Sequence, residues 1–454
     1  MSGPAQVDRV ADALAPELPA IELADARTDP LAFLERTSQR YGDVYRYRLD
    51  GWCAVVVNDP VLARRALQSD GELLTKEGTP DLMMLRPMLG QGLMTNEGPA
   101  WNASRAASQP AFSAPRIAGY VPQMWDCIED MLASWQAQAD VMPVRDLERE
   151  FNQLALRVVG NALFHTDLDQ AQSDLGMAVE MMNRCVSHFD PTDLAMPQRF
   201  AHAHAQLHQL LQPIAGAAAP QHSLLAALRT RCSHAAHGGA ADGTADPDAA
   251  SARMLRDEIV TFLMAGHETT AKALTWAMHL LASHPAVCAR VRAEARLCLA
   301  NAGGPPDQVL AALPYTWQVL QEVLRLYPPV WLMSRRALCS FTLGPYTVEA
   351  GSLVVISPYL LHRHPAHWDT PQHFDPERFA KAHAERDAGA YLPFGAGNRV
   401  CIGRLFAAAE ATLALARVVQ HFDFSAAGDA QVRPEALVTL RPHNGLPMRL
   451  RSLA

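Results

Sequence analysis

The sequence lacks the features that mark several large classes of protein. Its eight cysteines are scattered without a C-x-x-C pair, so neither a zinc site nor a disulfide framework is indicated. No run reaches the roughly 20 apolar residues that a membrane-spanning helix needs. Basic residues are not in excess, since 39 Lys and Arg stand against 47 Asp and Glu. The basic footprint of a nucleic-acid-binding protein is therefore missing.

Further absences concern targeting and cofactor motifs. The first 30 residues carry charges and prolines throughout, which is typical of neither a signal peptide nor a membrane anchor. There is no internal repeat and no G-x-G-x-x-G dinucleotide-binding unit. We expect a cytoplasmic monomer with no nucleic-acid partner and no membrane anchor.

What the sequence does have is a globular composition. Of its 454 residues, 49% are hydrophobic and 19% are charged, enough to bury a large core around a cofactor. We expect residues 1–30 to form an irregular N-terminal segment and residues 31–454 to form a single domain. Residues 232–251 are rich in Gly, Ala and Asp, which predicts a flexible surface loop.

The periodicity of apolar residues predicts a mainly α fold with a minor β region. Helical spacing covers residues 254–283, 315–326 and the run after Cys401. The Asp50-Gly51 pair predicts a turn that enters a small sheet. Hairpins are predicted over residues 346–356 and through Asn444-Gly445 near the end of the chain.

The most informative segment surrounds Cys401. Five residues fit the pattern F-x-x-G-x-R-x-C-x-G, namely Phe394, Gly397, Arg399, Cys401 and Gly403. A cysteine that binds haem iron must be a thiolate held in a sheltered loop. Glycines permit the tight turns and the close approach of backbone to a flat macrocycle. A helix that begins just after the cysteine favours the ionised sulfur through its positive end.

A second pattern lies inside the long predicted helix. Ala265 and Gly266 are followed, after His267, by the acid Glu268 and the hydroxyl of Thr269. Gly lacks a packing side chain and Thr can bond a backbone carbonyl, so the pattern is locally costly for a helix. It predicts either a bend or a groove that admits a diatomic ligand. We assign His267 no chemical role.

Together these motifs resemble those of the cytochrome P-450 family, and the sequence is similar to its soluble, bacterial-type members from about Leu93 to Arg449. The resemblance implies a haem b bound between the long helix and the cysteine loop. It implies that Cys401 ligates the iron and that Phe394 shields the sulfur. It also implies that Thr269 hydrogen-bonds the bound oxygen and that Glu268 relays protons from solvent.

The resemblance assigns further residues to the haem and to its support. Trp101 and Arg105 are similar to the helix motif that meets one propionate. Arg335 is expected at the other propionate, with Arg336 as the alternative, and Arg399 is also placed to meet a propionate. A structural triad behind the haem is implied for Glu322, Arg325 and Arg378. By position, eight apolar residues are candidates for the substrate pocket: Met94, Val260, Leu263, Met264, Val330, Trp331, Leu332 and Val438.

The implied activity is a monooxygenase reaction on a small, largely apolar substrate. Such an enzyme inserts one atom of dioxygen into a C–H bond or double bond and reduces the other to water. We expect NAD(P)H-derived electrons to arrive through separate partners, either a ferredoxin with its reductase or a flavodoxin-type donor. Three alternatives stay open: a peroxide-driven enzyme, a non-catalytic haem sensor, and a coupling, desaturating or isomerising enzyme on the same scaffold. The acid–alcohol pair argues against the first two.

Overall fold

The computed structural model describes residues 13–139, 141–168, 172–187, 193, 195–221, 223–238, 246–299, 309–380, 389–428 and 431–453. The chain divides into two compact units. Unit 1 consists of Met1–Met83, Leu324–Phe374 and Ala380–Cys401, and unit 2 consists of Met84–Val323, Asp375–Phe379 and Ile402–Ala454. Within the described ranges, no helix is long and apolar enough to span a bilayer.

Helices dominate the described residues. Their bounds are α1 Pro30–Tyr41, α2 Pro60–Leu67, α3 Pro80–Leu89, α4 Gly98–Ser108, α5 Ala114–Ala137, α6 Leu147–Phe164, α7 Gln172–Ser187, α8 Met196–Leu210, α9 Gln212–Gly216, α10 Leu224–Gly238, α11 Pro247–Ser283, α12 Pro285–Leu299, α13 Val309–Ala312, α14 Pro314–Leu326, α15 Pro358–Leu361 and α16 Arg404–His421.

The strands are short. Their bounds are β1 Val44–Leu49, β2 Trp52–Val57, β3 Leu74–Thr75, β4 Val144–Asp146, β5 Met333–Ala337, β6 Phe341–Leu343, β7 Tyr346–Val348, β8 Leu353–Ile356, β9 Phe422–Ala426, β10 Pro434–Ala436, β11 Leu440–Pro442 and β12 Pro447–Ser452. The predicted fold class, mainly α with a minor β region, is confirmed.

Unit 1 is built on a five-stranded sheet with the order β1-β2-β8-β5-β3. The predicted turn at Asp50-Gly51 joins β1 to β2, and both residues have positive φ angles of 53° and 81°. Alternate residues of β2 point to opposite faces. Val55 and Val57 face one hydrophobic cluster, while Ala54 and Val56 face another. The sheet is therefore buried on both sides.

Unit 2 is organised around α11, which runs for 37 residues. It packs against α6, α10 and α16. Most of its side chains from Leu255 to Leu281 are buried. A helix that is apolar on nearly every face lies in the middle of a core rather than on its surface.

Helix α11 begins earlier than the periodicity predicted, and the loop predicted for residues 232–251 is too long. Helix α10 continues to Gly238 and α11 begins at Pro247, and residues 239–245 lie outside the described residues. The Asp246 carboxylate accepts the N–H of Asp248 at 3.0 Å, and Pro247 occupies the first helical position. Alanine is the strongest helix former, so the Ala-rich flanks are helical despite their few large apolar residues.

Both hairpins predicted in the second half of the chain are wrong in their pairing. Strand β7 pairs with β6, whereas β8 pairs with β2 and β5. Asn444 and Gly445 do form a turn with positive φ, but β11 pairs with β10 and β12 pairs with β4 and β9. A local turn signal indicates a change of direction only. The partner of each strand is decided by burial in the folded chain.

In the N-terminal region, residues 1–12 lie outside the described residues. From Ala13 to Asp29 the chain forms isolated bridges with β7 and β1 and one short 3-10 helix at Ala20–Leu23. Regular helix begins at Pro30, where Asp29 accepts the N–H of Ala32 at 3.2 Å. The expectation of one domain over residues 31–454 stays a prediction.

Candidate active site

The cysteine loop of unit 1 is made of tight turns. Gly395 and Gly397 have positive φ angles of 69° and 70°, and the Cys401 N–H donates to the Phe394 carbonyl at 2.9 Å. A Cβ atom at Gly397 would overlap the carbonyl oxygen of Leu67 in α2. The loop therefore requires glycine there both for its conformation and for its contact with α2. Cys401 itself is exposed.

His362 holds the start of this loop. Its Nε2 accepts the N–H of Leu392 at 2.8 Å, and its Nδ1 lies 3.2 Å from the carbonyl oxygen of Leu324. Complete burial lowers the pKa of His362 to about 3. The imidazole is therefore neutral, with the proton on Nδ1 donated to Leu324. Sequence reasoning missed this role, because one histidine far from the motif is not distinctive.

The helix after the loop begins as predicted. Helix α16 starts at Arg404 with Gly403 as its N-cap residue, and within the described part of the chain no side chain caps it. Backbone N–H groups at a helix N-terminus carry partial positive charge. Cys401 lies three residues before this N-terminus in the chain, and a helix N-terminus favours a nearby thiolate.

The middle of α11 exposes a small face inside an otherwise buried helix. Ala265, Gly266 and Thr269 are partly exposed, whereas their neighbours Met264, His267, Glu268 and Thr270 are buried. Residues 265 and 269 are one helical turn apart and share a face. The absent side chain of Gly266 would point at Val159 of α6, whose Cγ2 would lie 2.8 Å from a Cβ. Gly266 therefore also permits close packing of α6.

The acid and the alcohol of the pair have different surroundings. The Thr269 hydroxyl donates to the Ala265 carbonyl at 2.9 Å, which leaves its lone pairs on the partly exposed face. The Glu268 carboxylate is buried and accepts two hydrogen bonds, from Asn183 Nδ2 at 3.1 Å and from Thr439 Oγ1 at 2.7 Å. Sequence reasoning missed both donors, because they lie on distant segments.

His267 has a structural contact in this arrangement. It is buried, and its Nδ1 donates to the Leu263 carbonyl at 2.8 Å. Burial lowers the pKa of His267, so the ring is neutral. This bond gives the buried ring a structural contact, and the absence of a chemical role for His267 stays a prediction.

The members of the predicted triad have strong partners. In unit 2, Glu322 lies 3.4 Å from Arg378 and accepts the N–H of Asp375 at 2.9 Å. In unit 1, Arg325 is buried and donates to the carbonyls of His362, Pro371 and His373. Buried charges with such extensive hydrogen bonding fix the backbone around them.

The two arginines of β5 differ in their contacts. Arg336 donates from Nε to the Glu77 carbonyl at 2.8 Å. Arg335 donates to the carbonyl of its neighbour Ser334 at 2.8 Å. Adjacent residues of a strand point to opposite faces, so Arg335 and not Arg336 faces away from the Glu77 segment. Trp101, Arg105 and Arg399 are all partly buried.

The predicted pocket residues differ in exposure. Val260, Leu263 and Met264 of α11 are buried, whereas Val330 is exposed. Trp331 and Leu332 are partly buried against the cluster on the α1 side of the unit 1 sheet. Met94 and Val438 are partly buried in unit 2. Burial alone assigns none of them a substrate contact.

Comparison with known proteins identifies the family. The cytochrome P450 family model matches residues 18–446. The chain is 34% identical over 428 residues to cyclooctatin synthase of Streptomyces melanosporofaciens, covering 90% of this chain and 89% of that protein. It is 32% identical over 410 residues to cyclooctat-9-en-7-ol 5-monooxygenase of the same organism, covering 87% and 84%.

The fold is shared with a solved structure. The haem domain of cytochrome P450DA aligns with a TM-score of 0.84 and 24% sequence identity, over 98% of this chain and 99% of that one. A likeness at this level of identity shows a shared fold. Membership of the family is shown by the family model and by the two Streptomyces relatives. This chain therefore belongs to the cytochrome P450 family and is a cytochrome P450 monooxygenase, an enzyme of haem iron and dioxygen.

Proposed function

We propose that this chain oxidises a small, largely apolar organic substrate at a haem whose iron is ligated by Cys401. The observation that carries the proposal is the exposed cysteine on a loop of glycine turns, followed directly by a helix N-terminus. The Cys401 sulfur would supply the thiolate that a haem iron takes as a ligand. The partly exposed face of Ala265, Gly266 and Thr269 fits, within unit 2, a small ligand beside the helix.

The remaining residues hold the group in place. Phe394, Gly397 and Gly403 shape the loop, and Arg399 pairs with a propionate. Trp101 and Arg105 bind one propionate and Arg335 binds the other, an assignment supported by the engagement of Arg336 with Glu77. When bound, haem supplies the activation of dioxygen and the insertion of one oxygen atom into the substrate.

In this proposal, Thr269 and Glu268 take part in proton transfer. The Thr269 hydroxyl is fixed by its bond to Ala265, so its orientation is already determined before a ligand arrives. Glu268 takes a proton from the solvent side and passes it toward the Thr269 face, in the manner of a general acid. Asn183 and Thr439 set the resting position of its carboxylate.

A charged network in unit 2 contains residues that lie close in sequence to these donors. Glu180, one turn before Asn183 on α7, pairs with Arg441 at 2.9 Å. Arg441 also pairs with Glu435 at 2.9 Å, and Glu435 lies 3.3 Å from the exposed His443. The Glu180–Arg441 pair joins the two segments that carry Asn183 and Thr439, and so supports the position of the two donors to Glu268.

Glu322, Arg325 and Arg378 have a structural role in this proposal. It is supported by their contacts, since Glu322 pairs with Arg378 and accepts a backbone N–H, and Arg325 donates to backbone carbonyls. They fix segments near the cysteine loop in the chain and do not meet the substrate.

The substrate class follows from the pocket candidates and the relatives. The candidates are apolar, and two relatives carry the names of a cyclooctatin synthase and a cyclooctat-9-en-7-ol 5-monooxygenase. We propose a cyclic, hydrocarbon-rich substrate such as a terpenoid, with hydroxylation or epoxidation as the reaction.

The two electrons come from outside the chain in this proposal. The sequence holds no G-x-G-x-x-G unit, so a ferredoxin with its reductase, or a flavodoxin-type donor, delivers electrons that originate in NAD(P)H. No disulfide joins any of the eight cysteines, all of which lie in the described part of the chain, and this supports a reducing, cytoplasmic location.

The ligand assignment is tested by the carbon monoxide difference spectrum of the reduced, haem-loaded protein. We expect a strongly red-shifted Soret band that disappears in Cys401→Ala and persists in Cys339→Ala, the other exposed cysteine. A spectrum typical of histidine ligation in the wild type would contradict the assignment.

The proton roles are tested by coupling, the amount of product formed per electron consumed. We expect Thr269→Ala and Glu268→Gln to lower coupling by about 10²-fold or more, the scale of general acid catalysis. Thr270→Val is the matched control, since Thr270 is buried beside the pair and its hydroxyl has no hydrogen-bond partner among the described residues. Equal coupling in all four proteins would rule out the proton roles of Thr269 and Glu268.

A further inference from the structure

Glu258 is a buried carboxylate that the proposed reaction does not use. It lies on α11, ten residues before Glu268, and is fully buried. Its Oε2 accepts the N–H of Leu93 at 3.0 Å, and its Oε1 accepts the hydroxyl of Ser104 on α4. The same Oε1 lies 3.2 Å from Nη1 of Arg231 on α10. One side chain therefore ties together α11, α10, α4 and the segment before α4.

That segment, residues 90–96, contacts α11 at several further points. Asp257 Oδ2 accepts the N–H of Gln91 at 2.9 Å. A Cβ at Gly90 would overlap the Asp257 carboxylate, and a Cβ at Gly92 would overlap the Thr261 hydroxyl. The backbone of the segment therefore lies directly against the side chains of α11.

An open groove borders α4 on the side that faces α10. Between α4 and α10 lies an open groove of about 780 Å³, lined largely by alanines that include Ala103, Ala107 and Ala226. Small side chains around open space make few dispersion contacts. The bonds of Glu258 to Ser104 and Arg231 therefore add a polar constraint on α4 and α10 beside this open groove.

We propose that Glu258 is a positioning residue for the haem-binding face of α4. Ser104 is the neighbour of Arg105 and lies three residues after Trp101, and Leu93 is the neighbour of Met94. The carboxylate thus fixes the backbone that carries two proposed propionate ligands and one pocket candidate. The inference rests on the proposed function, because it concerns the affinity for haem. Residues that orient ligands in this way typically change affinity by about 10 to 100-fold when altered.

The test uses the haem-loaded protein with Glu258→Gln and the milder Ser104→Ala. Glu294 supplies the matched control, because its carboxylate also accepts backbone N–H groups and a hydroxyl, those of Tyr315 and Thr316 on α14. The control variants are Glu294→Gln and Thr316→Val. Haem loss to excess apomyoglobin, backbone hydrogen exchange and thermal unfolding are measured for all four.

We expect haem loss to accelerate about tenfold in Glu258→Gln and several-fold in Ser104→Ala, with faster exchange confined to residues 91–108. The controls should lose haem at the wild-type rate even where their unfolding temperature falls equally. The red-shifted carbon monoxide band should persist in every variant, because Cys401 is untouched.

Haem loss equal in Glu258→Gln and Glu294→Gln, or exchange raised throughout the chain, would overturn the inference. Absence of the red-shifted band in the wild type would instead overturn the proposed function, so the two failures are distinguishable. Should Glu258→Gln fail to fold, Ser104→Ala compared with Thr316→Val decides the matter alone.

Discussion

Individual buried residues outside the cysteine loop determine how this fold responds to pH. Glu410 on α16 is completely buried, and neither of its carboxylate oxygens has a hydrogen-bond partner within the described ranges. Burial without compensation favours the neutral acid, and the pKa of Glu410 is raised well above its usual value. His362 shows the reverse effect, because burial favours the neutral base and lowers its pKa.

Glu410→Gln should flatten the pH dependence of stability above about pH 4.5. In the wild type the folded state keeps the Glu410 proton that the unfolded state has lost. The free energy of unfolding therefore falls as pH rises, by about 1.4 kcal/mol per pH unit until the folded pKa is passed. Urea unfolding between pH 5 and 8 measures the slope. Identical slopes in the two proteins would contradict a neutral Glu410.

His362→Asn should change the pH dependence of stability on the acid side of neutrality. The folded pKa of about 3 lies below the unfolded value of 6.5, so the unfolded state binds more protons between these limits. Wild-type stability is lost as pH falls through this window, by about 1.4 kcal/mol per unit. The variant should show a shallower acid slope when the urea measurements are extended down to about pH 3. A steeper slope would mean that His362 is charged in the folded protein.

Two glycines of the cysteine loop, Gly395 and Gly397, provide a matched pair of substitutions. Gly397→Ala adds a Cβ that overlaps the Leu67 carbonyl at a positive φ, whereas at Gly395 the nearest atom to a Cβ is Met333 Cε at 4.0 Å. We expect Gly397→Ala to destabilise the protein by about 3 kcal/mol or more and Gly395→Ala by about 1 kcal/mol. Thermal unfolding and haem content are measured for both variants. Equal losses of stability in the two would show that the strain lies elsewhere in the loop.

At the scale of elements, the contact of α6 with α11 combines close packing with a buried ion pair. Gly266 admits Val159 of α6, and one turn and a half later Lys272 pairs with Glu148 at 2.6 Å. Both side chains are largely buried. This pair fixes the register of the two helices at a point that lies near the acid–alcohol motif in sequence.

Lys272→Ala should destabilise unit 2 strongly, because it leaves the Glu148 carboxylate buried without its cation. We expect a loss of about 3 to 5 kcal/mol. The double variant Lys272→Met with Glu148→Leu should recover most of it, since apolar residues of similar size replace buried pairs at little cost. A double-mutant cycle by urea unfolding measures the coupling. Additive losses would show that the two residues do not interact.

At the scale of the whole molecule, the reactivity of the eight thiols depends on how deeply the fold buries each of them and on whether haem is bound. Cys339 and Cys401 are exposed, whereas Cys127, Cys185 and Cys232 are buried, as is Cys288. Burial raises the pKa of Cys127 to about 11 and also raises the pKa of Cys288. Buried, protonated thiols react slowly.

Maleimide labelling followed by mass spectrometry should therefore distinguish the thiols. In the haem-loaded protein we expect rapid labelling of Cys339 and none of Cys401, because a sulfur bound to iron cannot attack the reagent. Removal of haem should expose Cys401 to labelling, and the four buried thiols should react only after unfolding. Labelling of Cys401 with haem bound would contradict its role as ligand.

The sequence by itself determined the fold class, the turn at Asp50-Gly51 and the helices at 315–326 and after Cys401, and it predicted the loop and acid–alcohol residues. These features depend on local causes: periodicity, helix-stopping prolines, glycine conformations and motif spacing. Each can be recognised within a window of a few residues, without knowledge of the rest of the chain.

Only the tertiary structure decided which strands pair and which distant polar groups bond to one another. The pairing of β7, β8, β11 and β12, the donors Asn183 and Thr439 to Glu268, and the bonds of Glu258 all join residues far apart in sequence. A polar side chain or a strand edge has many possible partners along the chain. The partner it acquires is selected by which distant groups are buried beside it, because an unsatisfied buried group is costly.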